Sequence, residues 1–328
     1  MAAAAGPWVV LGRTARLRWG GDLRRAHIFA RLATRTAAVS TPRWDARAAF
    51  GALRRTPGAL RPWEPRPWLA SSELLTPNAL RLAGILARPA ALDVHDQPII
   101  QAAALGRPLE PRVARALGSR VARNLALFPI HVVPSASFAD LAGLDPGRVI
   151  VAPNGADTAH VRPGPFPDRP TIGLVSGAAP NRGIEVVVET ARLLRSTVPE
   201  LRLRLWLAGT DAAGLAYVEQ LRVALEPASW AEVRAVPYSD LGAALAEATV
   251  LVVPHPANPY LDVAVPVKLL DSMAAGRPVV VTPRLEAARI VEAASCGRIS
   301  AGDDAPALAE AIAPLLADPA LAAELGRN

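Results

Sequence analysis

The sequence is 328 residues long, which at roughly 100–200 residues per domain predicts two domains. Hydrophobic residues make up 51%, which excludes a disordered chain, and no uninterrupted apolar run approaches the roughly 18 residues of a membrane-spanning helix. The net charge of +7 is unevenly divided: residues 1–150 hold 21 arginines against 9 acidic residues, and residues 151–328 hold 15 cations against 20 acidic residues. A basic first half attracts polyanions, namely nucleic acid, an anionic membrane surface or a phosphorylated substrate. The one cysteine, Cys296, excludes an intramolecular disulfide, and no Cys/His cluster has metal-ligand spacing, so no metal site is expected. The apolar stretch at the start is too short for a signal peptide, so a cytoplasmic location is expected.

In chain order, Trp8–Leu11 reads as a short apolar strand. The turn Trp19-Gly20-Gly21-Asp22 follows, and then an amphipathic helix from Leu23 to about Thr34. Residues 41–70 carry Pro42, Pro57, Pro62, Pro65 and Pro67 with Trp44, Trp63 and Trp68, and are expected as an exposed loop held by aromatic anchors. Ala90–Val94, Ile130–Val133 and Arg148–Val151 resemble buried strands, separated by helices near 77–88 and 109–126. Pro163, Gly164, Pro165, Pro167 and Pro170 have the composition of a linker, which puts the division at 1–160 and 161–328. Beyond it, strands are expected at Thr171–Val175, Arg202–Leu207, Glu232–Ala235, Val250–Val253 and Pro278–Val281. Helices alternate with them at about Arg182–Thr197, Leu215–Leu225, Leu241–Ala248, Val265–Ala274, Leu285–Ala294 and Pro306–Ala317. The expected class is α/β: two Rossmann-like domains with mostly parallel sheets facing across a cleft.

The densest chemistry lies in the segment from His255 to Val281. A strand end leads through a loop to Pro266, which suits a first helical turn, then Lys268, Asp271 and Gly276, which suits a helix end. Lys268 is the only lysine among the 36 cations. Lys268 and Asp271 share one helix face close to the N-terminus, where free backbone N–H groups favour anions. The spacing suits a diphosphate held by Lys268 beside a ribose held by Asp271, and it equally suits a salt bridge on an ordinary surface helix. Asp303-Asp304 reads as helix capping.

Four segments in order resemble the nucleotide-sugar-dependent glycosyltransferases of the GT-B fold, in particular family 4, glycosyl transferases group 1. Val149-Ile-Val-Ala-Pro-Asn-Gly-Ala-Asp157 resembles a strand followed by P-N-G-V-D. Gly173–Ile184 resembles the G-x-L…K-G-x-D loop that opens the donor domain. Pro266–Pro278 resembles P-x-K-L-x-E-x-M-A-x-G-x-P with Asp271 in place of Glu, and Leu315–Asn328 resembles the late helical region. The resemblance implies that Arg182 and Lys268 contact the donor diphosphate and that Asp271 holds the ribose. It places Gly209, Val236 and Tyr238 at the nucleotide, and Gly20 and Gly21 in a glycine loop approaching the diphosphate and sugar. His95 and Asp96, at a strand end, take the catalytic position together with Lys268. Two positions depart from the pattern: the first Glu of E-x7-E falls at Val263, and an arginine five residues before the K-G lysine falls at Gly177.

The activity that the resemblance implies is hexosyl transfer from a UDP- or GDP-sugar to a carbohydrate or lipid-linked acceptor, with retention of configuration, in glycan or glycolipid biosynthesis. The nucleotide sugar is a co-substrate, with no cofactor and no required metal. Peripheral attachment to the inner face of a membrane suits the basic first half. A nucleotide-sugar epimerase of the same fold and a non-catalytic nucleotide-sugar-binding homologue are the alternatives. Nucleic acid is not an expected partner, because the arginines coincide with no recognition helix or aromatic RNA-binding motif.

Overall fold

The computed structural model describes residues 9–12, 37–40, 68–71, 90–94, 99–100, 102, 109–209 and 212–328. The chain divides into two compact units, Met1–Pro153 and Asn154–Asn328. In the first unit the described strands are β1 (Val9–Gly12), β2 (Ala37–Ser40), β3 (Trp68–Ser71), β4 (Ala90–Asp93), β5 (Ile130–Val133) and β6 (Val149–Val151), with helices α1 (Pro111–Leu125) and α2 (Ala136–Leu141). They form a parallel sheet in the order β2-β1-β3-β4-β5-β6, with Val9 opposite both Ala37 and Trp68, and Trp68 opposite Ala90.

The loop expected over 41–70 gives way to strand at its end: Trp68 opens β3, in the middle of the sheet. The last of the prolines, Pro67, lies just before the strand, so Trp68–Ser71 are free to bond β1 and β4 on both sides. The strand β2 was not anticipated from the sequence, since its Ala-Ala-Val-Ser run carries a weak apolar signal.

The second unit contains β7 (Thr171–Gly177), α3 (Ile184–Leu194), β8 (Arg202–Ala208), α4 (Ala212–Leu225), β9 (Ala231–Arg234), α5 (Leu241–Ala246) and β10 (Val250–Val253). It continues with α6 (Pro259–Val263), α7 (Val267–Ala274), β11 (Val279–Val281), α8 (Leu285–Ala294), β12 (Gly297–Ile299), α9 (Ala305–Ala317) and α10 (Pro319–Arg327). Its sheet is parallel throughout, in the order β12-β11-β10-β7-β8-β9. The central strands are buried on both faces, which is why Val-Leu-Val-Val in β10 and Val-Val-Val in β11 run without alternation. Ile184, Val187, Val188, Ala191 and Leu194 recur at helical spacing on α3 and pack with Leu308, Ala311, Ile312 and Leu315 of α9 over Ile172, Leu174, Leu203 and Leu205. Separate clusters form around Trp206, Leu241, Leu245 and Leu251, and around Val253, Leu269, Val279, Val281 and Val291.

The proline-rich segment belongs to the second unit. Val161 is fully buried in the Trp206 cluster. The Arg277 guanidinium, 1% exposed, donates from Nη1 to the Gly164 carbonyl at 2.9 Å. Its Nη2 donates to the carbonyls of Pro165 and Ala246, and the group lies over the Phe166 ring, 4.4 Å from its centroid. The sequence places a linker here because proline and glycine density signals irregular backbone; it does not signal the buried cation that fastens that backbone down. The short strand β12 was also not anticipated, whereas the stretch that resembles a late helical region holds α10. The latter starts at Pro319, capped by Asp318, whose Oδ1 accepts from the Ala320 and Leu321 N–H groups at 2.9 and 3.0 Å.

Candidate functional site

In the second sheet the chain leaves β7 toward β8 and β9, and leaves β10 in the opposite direction toward β11 and β12. The boundary between β7 and β10 is therefore the topological switch point, where ligands of open parallel sheets bind outside the carboxyl ends of the strands. The segments that follow these two strands carry most of the residues singled out from the sequence.

After β7 the chain makes a short 3-10 turn, Pro180–Arg182, and then Gly183 breaks into α3 with φ +73°. Arg182 thus precedes the helix expected to begin with it. Any Cβ at Gly183 would lie 1.9 Å from the Pro254 carbonyl oxygen, so only glycine lets α3 start against the end of β10. After β10, Pro266 occupies the N-cap of α7 in an extended conformation (φ −72°, ψ 121°), one position before the first turn expected for it. The Asn154 side-chain amide donates to the Val265 carbonyl at 2.7 Å and fixes this entry, a structural use for the Asn of the P-N-G segment.

Lys268, in the first turn of α7, points its amine toward β7, with the Ser176 hydroxyl at 3.5 Å. Loss of hydration, with the charge of Arg182 second, brings the amine down to about 7. Asp271 is 4% exposed and its Oδ1 has no hydrogen-bond partner. Burial and the nearby Asp157 carboxylate raise it to about 7. Among the described residues Lys268 and Asp271 form no ion pair with each other, so the surface salt bridge allowed by their spacing is not formed.

Asp271 belongs to a second group of side chains. Tyr238 follows β9 in the turn Tyr238–Asp240, and its buried hydroxyl has no partner. Burial and the charges of Asp271 and Asp157 raise its phenol. The Tyr238 ring lies 6.1 Å from that of His160, and His160 Nδ1 is 2.9 Å from Asp157 Oδ2. Val236 packs with the Trp206 cluster. Gly209 follows β8, and a Cβ there would lie 2.8 Å from the Leu215 backbone nitrogen, so this glycine serves the close approach of α4. Gly20, Gly21, His95 and Asp96 lie outside the described residues.

Sequence reasoning gave no role to His255, although it lies two residues beyond the buried strand β10. Its ring is 3% exposed. Burial, then the charges of Lys268, Arg182 and Arg284, hold it well below the usual imidazole range. The nearby Arg284 donates to Asp262 at 3.0 Å and to Asp303 at 2.9 Å. Asp303 therefore anchors a cation instead of capping a helix, and Asp304 alone caps α9 by accepting from the Ala307 N–H at 2.9 Å. Val263, where the E-x7-E pattern has its first Glu, is buried, and Gly177 ends β7 with open space around its Cα. No group of three or more His, Cys, Asp or Glu side chains able to hold a metal occurs among the described residues.

Residues 169–318 match the family model described as glycosyl transferases group 1. Over most of its length the chain superposes on a sucrose-phosphate synthase from Thermosynechococcus elongatus, with a TM-score of 0.72 and 15% identity, covering 98% of this chain and 92% of that one. The chain has the GT-B fold, and residues 169–318 are similar to the group 1 glycosyl transferases. Anabaena HepE, solved with UDP and glucose, gives a TM-score of 0.68 at 14% identity and covers 98% and 93% of the two chains. In sequence, the GDP-mannose-dependent alpha-(1-6)-phosphatidylinositol monomannoside mannosyltransferase of Mycolicibacterium smegmatis is 30% identical over 200 residues. That match covers 59% of this chain and 50% of the mannosyltransferase, so the chain spans about half the length of the curated relative it matches. The group 1 match covers most of the second unit, the part that carries Arg182, Lys268, Asp271 and Tyr238.

Proposed function

We propose that the protein is a hexosyltransferase that takes its sugar from a UDP- or GDP-sugar and holds the donor on the second unit. The observation that carries this reading is the enclosed amine of Lys268 at the switch point, with Arg182 in electrostatic reach and the buried Asp271 carboxylate one turn further along α7. In sugar transfer the bond from the anomeric carbon to the diphosphate breaks, and negative charge grows on the leaving group. Two cations and the free N–H groups at the start of α7 are preorganised for that charge and need no reorganisation as it develops. They fill the role that a divalent ion plays in other transferases. Asp271, once ionised, accepts hydrogen bonds from ribose hydroxyls, with Tyr238 and Val236 toward the base and Gly209 at the nucleotide. For His95 and Asp96 a catalytic role, and for Gly20 and Gly21 a role at the diphosphate, rest on the family resemblance alone, since all four lie outside the described residues.

Retention of configuration follows from the family resemblance. The basic first half suits an anionic or lipid-linked acceptor, in keeping with the phosphatidylinositol monomannoside in the name of the mannosyltransferase relative. A thermal-shift series with UDP, GDP, ADP and CMP, with and without Mg²⁺, tests the donor site. One nucleoside diphosphate should stabilise the protein with little metal dependence, and Lys268→Ala should abolish the shift. No shift with any of the four removes the reading.

The burial of Val263 and the engagement of Asp262 by Arg284 favour a second reading, a nucleotide-sugar-binding homologue without transfer. It predicts binding of the nucleotide sugar without release of nucleoside diphosphate when acceptor extracts are supplied. An epimerase would convert the nucleotide sugar with no acceptor present.

A further inference from the structure

His255 sits at the carboxyl end of β10, on the border of the switch point, and its surroundings are unusual for a packed imidazole. Both ring nitrogens are buried and neither has a hydrogen-bond partner. The backbone around it is fixed from two sides: the Thr282 hydroxyl donates to the His255 carbonyl at 2.6 Å, and the Ala257 N–H donates to Asp303 at 2.8 Å. The charges that act on the ring are all cationic: Lys268 from α7, Arg182 from the turn before α3, and Arg284 from the residue before α8. Asp262 and Asp303 meet the charge of Arg284. The Lys268 amine lies against a neutral hydroxyl, and no carboxylate among the described residues is within ion-pair distance of it. A buried polar group without a partner is costly, and the ligand class that satisfies this one together with the cations acting on it is an anion.

We propose that His255 is a further contact to the donor diphosphate: its ring takes up a proton from solvent as the phosphates arrive and donates an N–H to one of their oxygens. This rests on the reading of the second unit as a nucleotide-sugar site. In this proposal Lys268 and Arg182 turn onto the incoming oxygens and leave the ring open to them. The positive potential at the imidazole is then offset, because the diphosphate sets two or more negative charges against those of Lys268 and Arg182, and an oxygen beside the ring accepts from its charged form. Before binding, burial and the three cations keep the ring neutral; after binding, the charged form is the stable one.

The full chain contains 5 histidines, few enough for each ring to be followed separately by nitrogen-15 NMR. At pH 7, saturation with UDP or GDP should move one ring from the neutral to the doubly protonated pattern, and His255→Asn should remove that signal. His255→Phe, of similar bulk and without hydrogen-bonding nitrogens, should weaken binding of the same nucleotide about tenfold or more, the usual loss for a hydrogen bond to a charged group. Measurable binding of UDP or GDP with every ring unchanged, or with His255→Phe as tight as the parent, overturns the role of His255 and leaves the donor site standing. Absence of binding to the parent protein overturns both. The spectra of the parent chain decide the question even where the substituted chains fold poorly.

Discussion

Lys268 is the one amine among 36 cationic side chains, and it stands in the first turn of α7 at the candidate site. A guanidinium stays charged at any pH a protein meets, whereas an amine can give up its proton when buried. With its amine brought down to about 7, Lys268 is largely neutral and nucleophilic at pH 8. An acylating reagent at that pH should therefore modify Lys268 and the terminal amine alone, and the nucleotide that stabilises the protein should slow modification at Lys268. Peptide mass mapping reads both results. The same lowering sets a pH dependence of stability. Between about 7 and the ordinary 10.5 the unfolded chain holds a proton that the folded chain lacks, so stability rises with pH, at up to about 1.4 kcal/mol per unit. Asp271, raised to about 7, is ionised in both states over most of that window, and His255 is neutral in both, so neither opposes the trend. Urea midpoints at pH 7.5 and 9.5 should show the parent chain gaining on Lys268→Met.

At the scale of elements, the entry into α3 depends on one glycine. Gly183→Ala forces a left-handed φ on a residue with a Cβ and drives that atom into the Pro254 carbonyl. A loss of about 2–4 kcal/mol in urea denaturation is expected, with nucleotide binding lost as well, because Arg182 and His255 flank the contact. Elements with a strong period were readable from sequence: α1, α3, α8, β5, β7, β8 and β10 fall within a few residues of their expected places. Elements set by pairing were not. β3 owes its position to neighbours on both sides, and β12 has three residues and a weak apolar signal, so neither had a local pattern to show. At the candidate site, Lys268, Asp271, Arg182 and Tyr238 were found because a spacing or a motif marks them. His255 and Arg277 were missed because their meaning comes from groups brought near by the fold, the charges acting on a buried ring in one case and the carbonyls of Gly164, Pro165 and Ala246 in the other.

For the whole molecule, charge and topology divide the chain in the same way. The first half carries the excess of arginine and the second an excess of acid, so the cations of the candidate donor site stand out against an acidic background. Each unit has its own parallel sheet, and no helix among the described residues is long and apolar enough to cross a membrane. The match to the family begins at residue 169, but the second unit begins fifteen residues earlier at Asn154. Those residues include the Asn154 amide that holds Val265, Val161 in the core, and the carbonyls that receive Arg277. A fragment spanning 154–328 should unfold cooperatively in urea, while one cut at Arg169 should lose several kcal/mol or fail to fold, since it would strand a buried guanidinium with most of its partners gone. Similarity marks the stretch from residue 169, and the partners of a single arginine reach further back, so the excisable module is expected to be longer than the recognisable one.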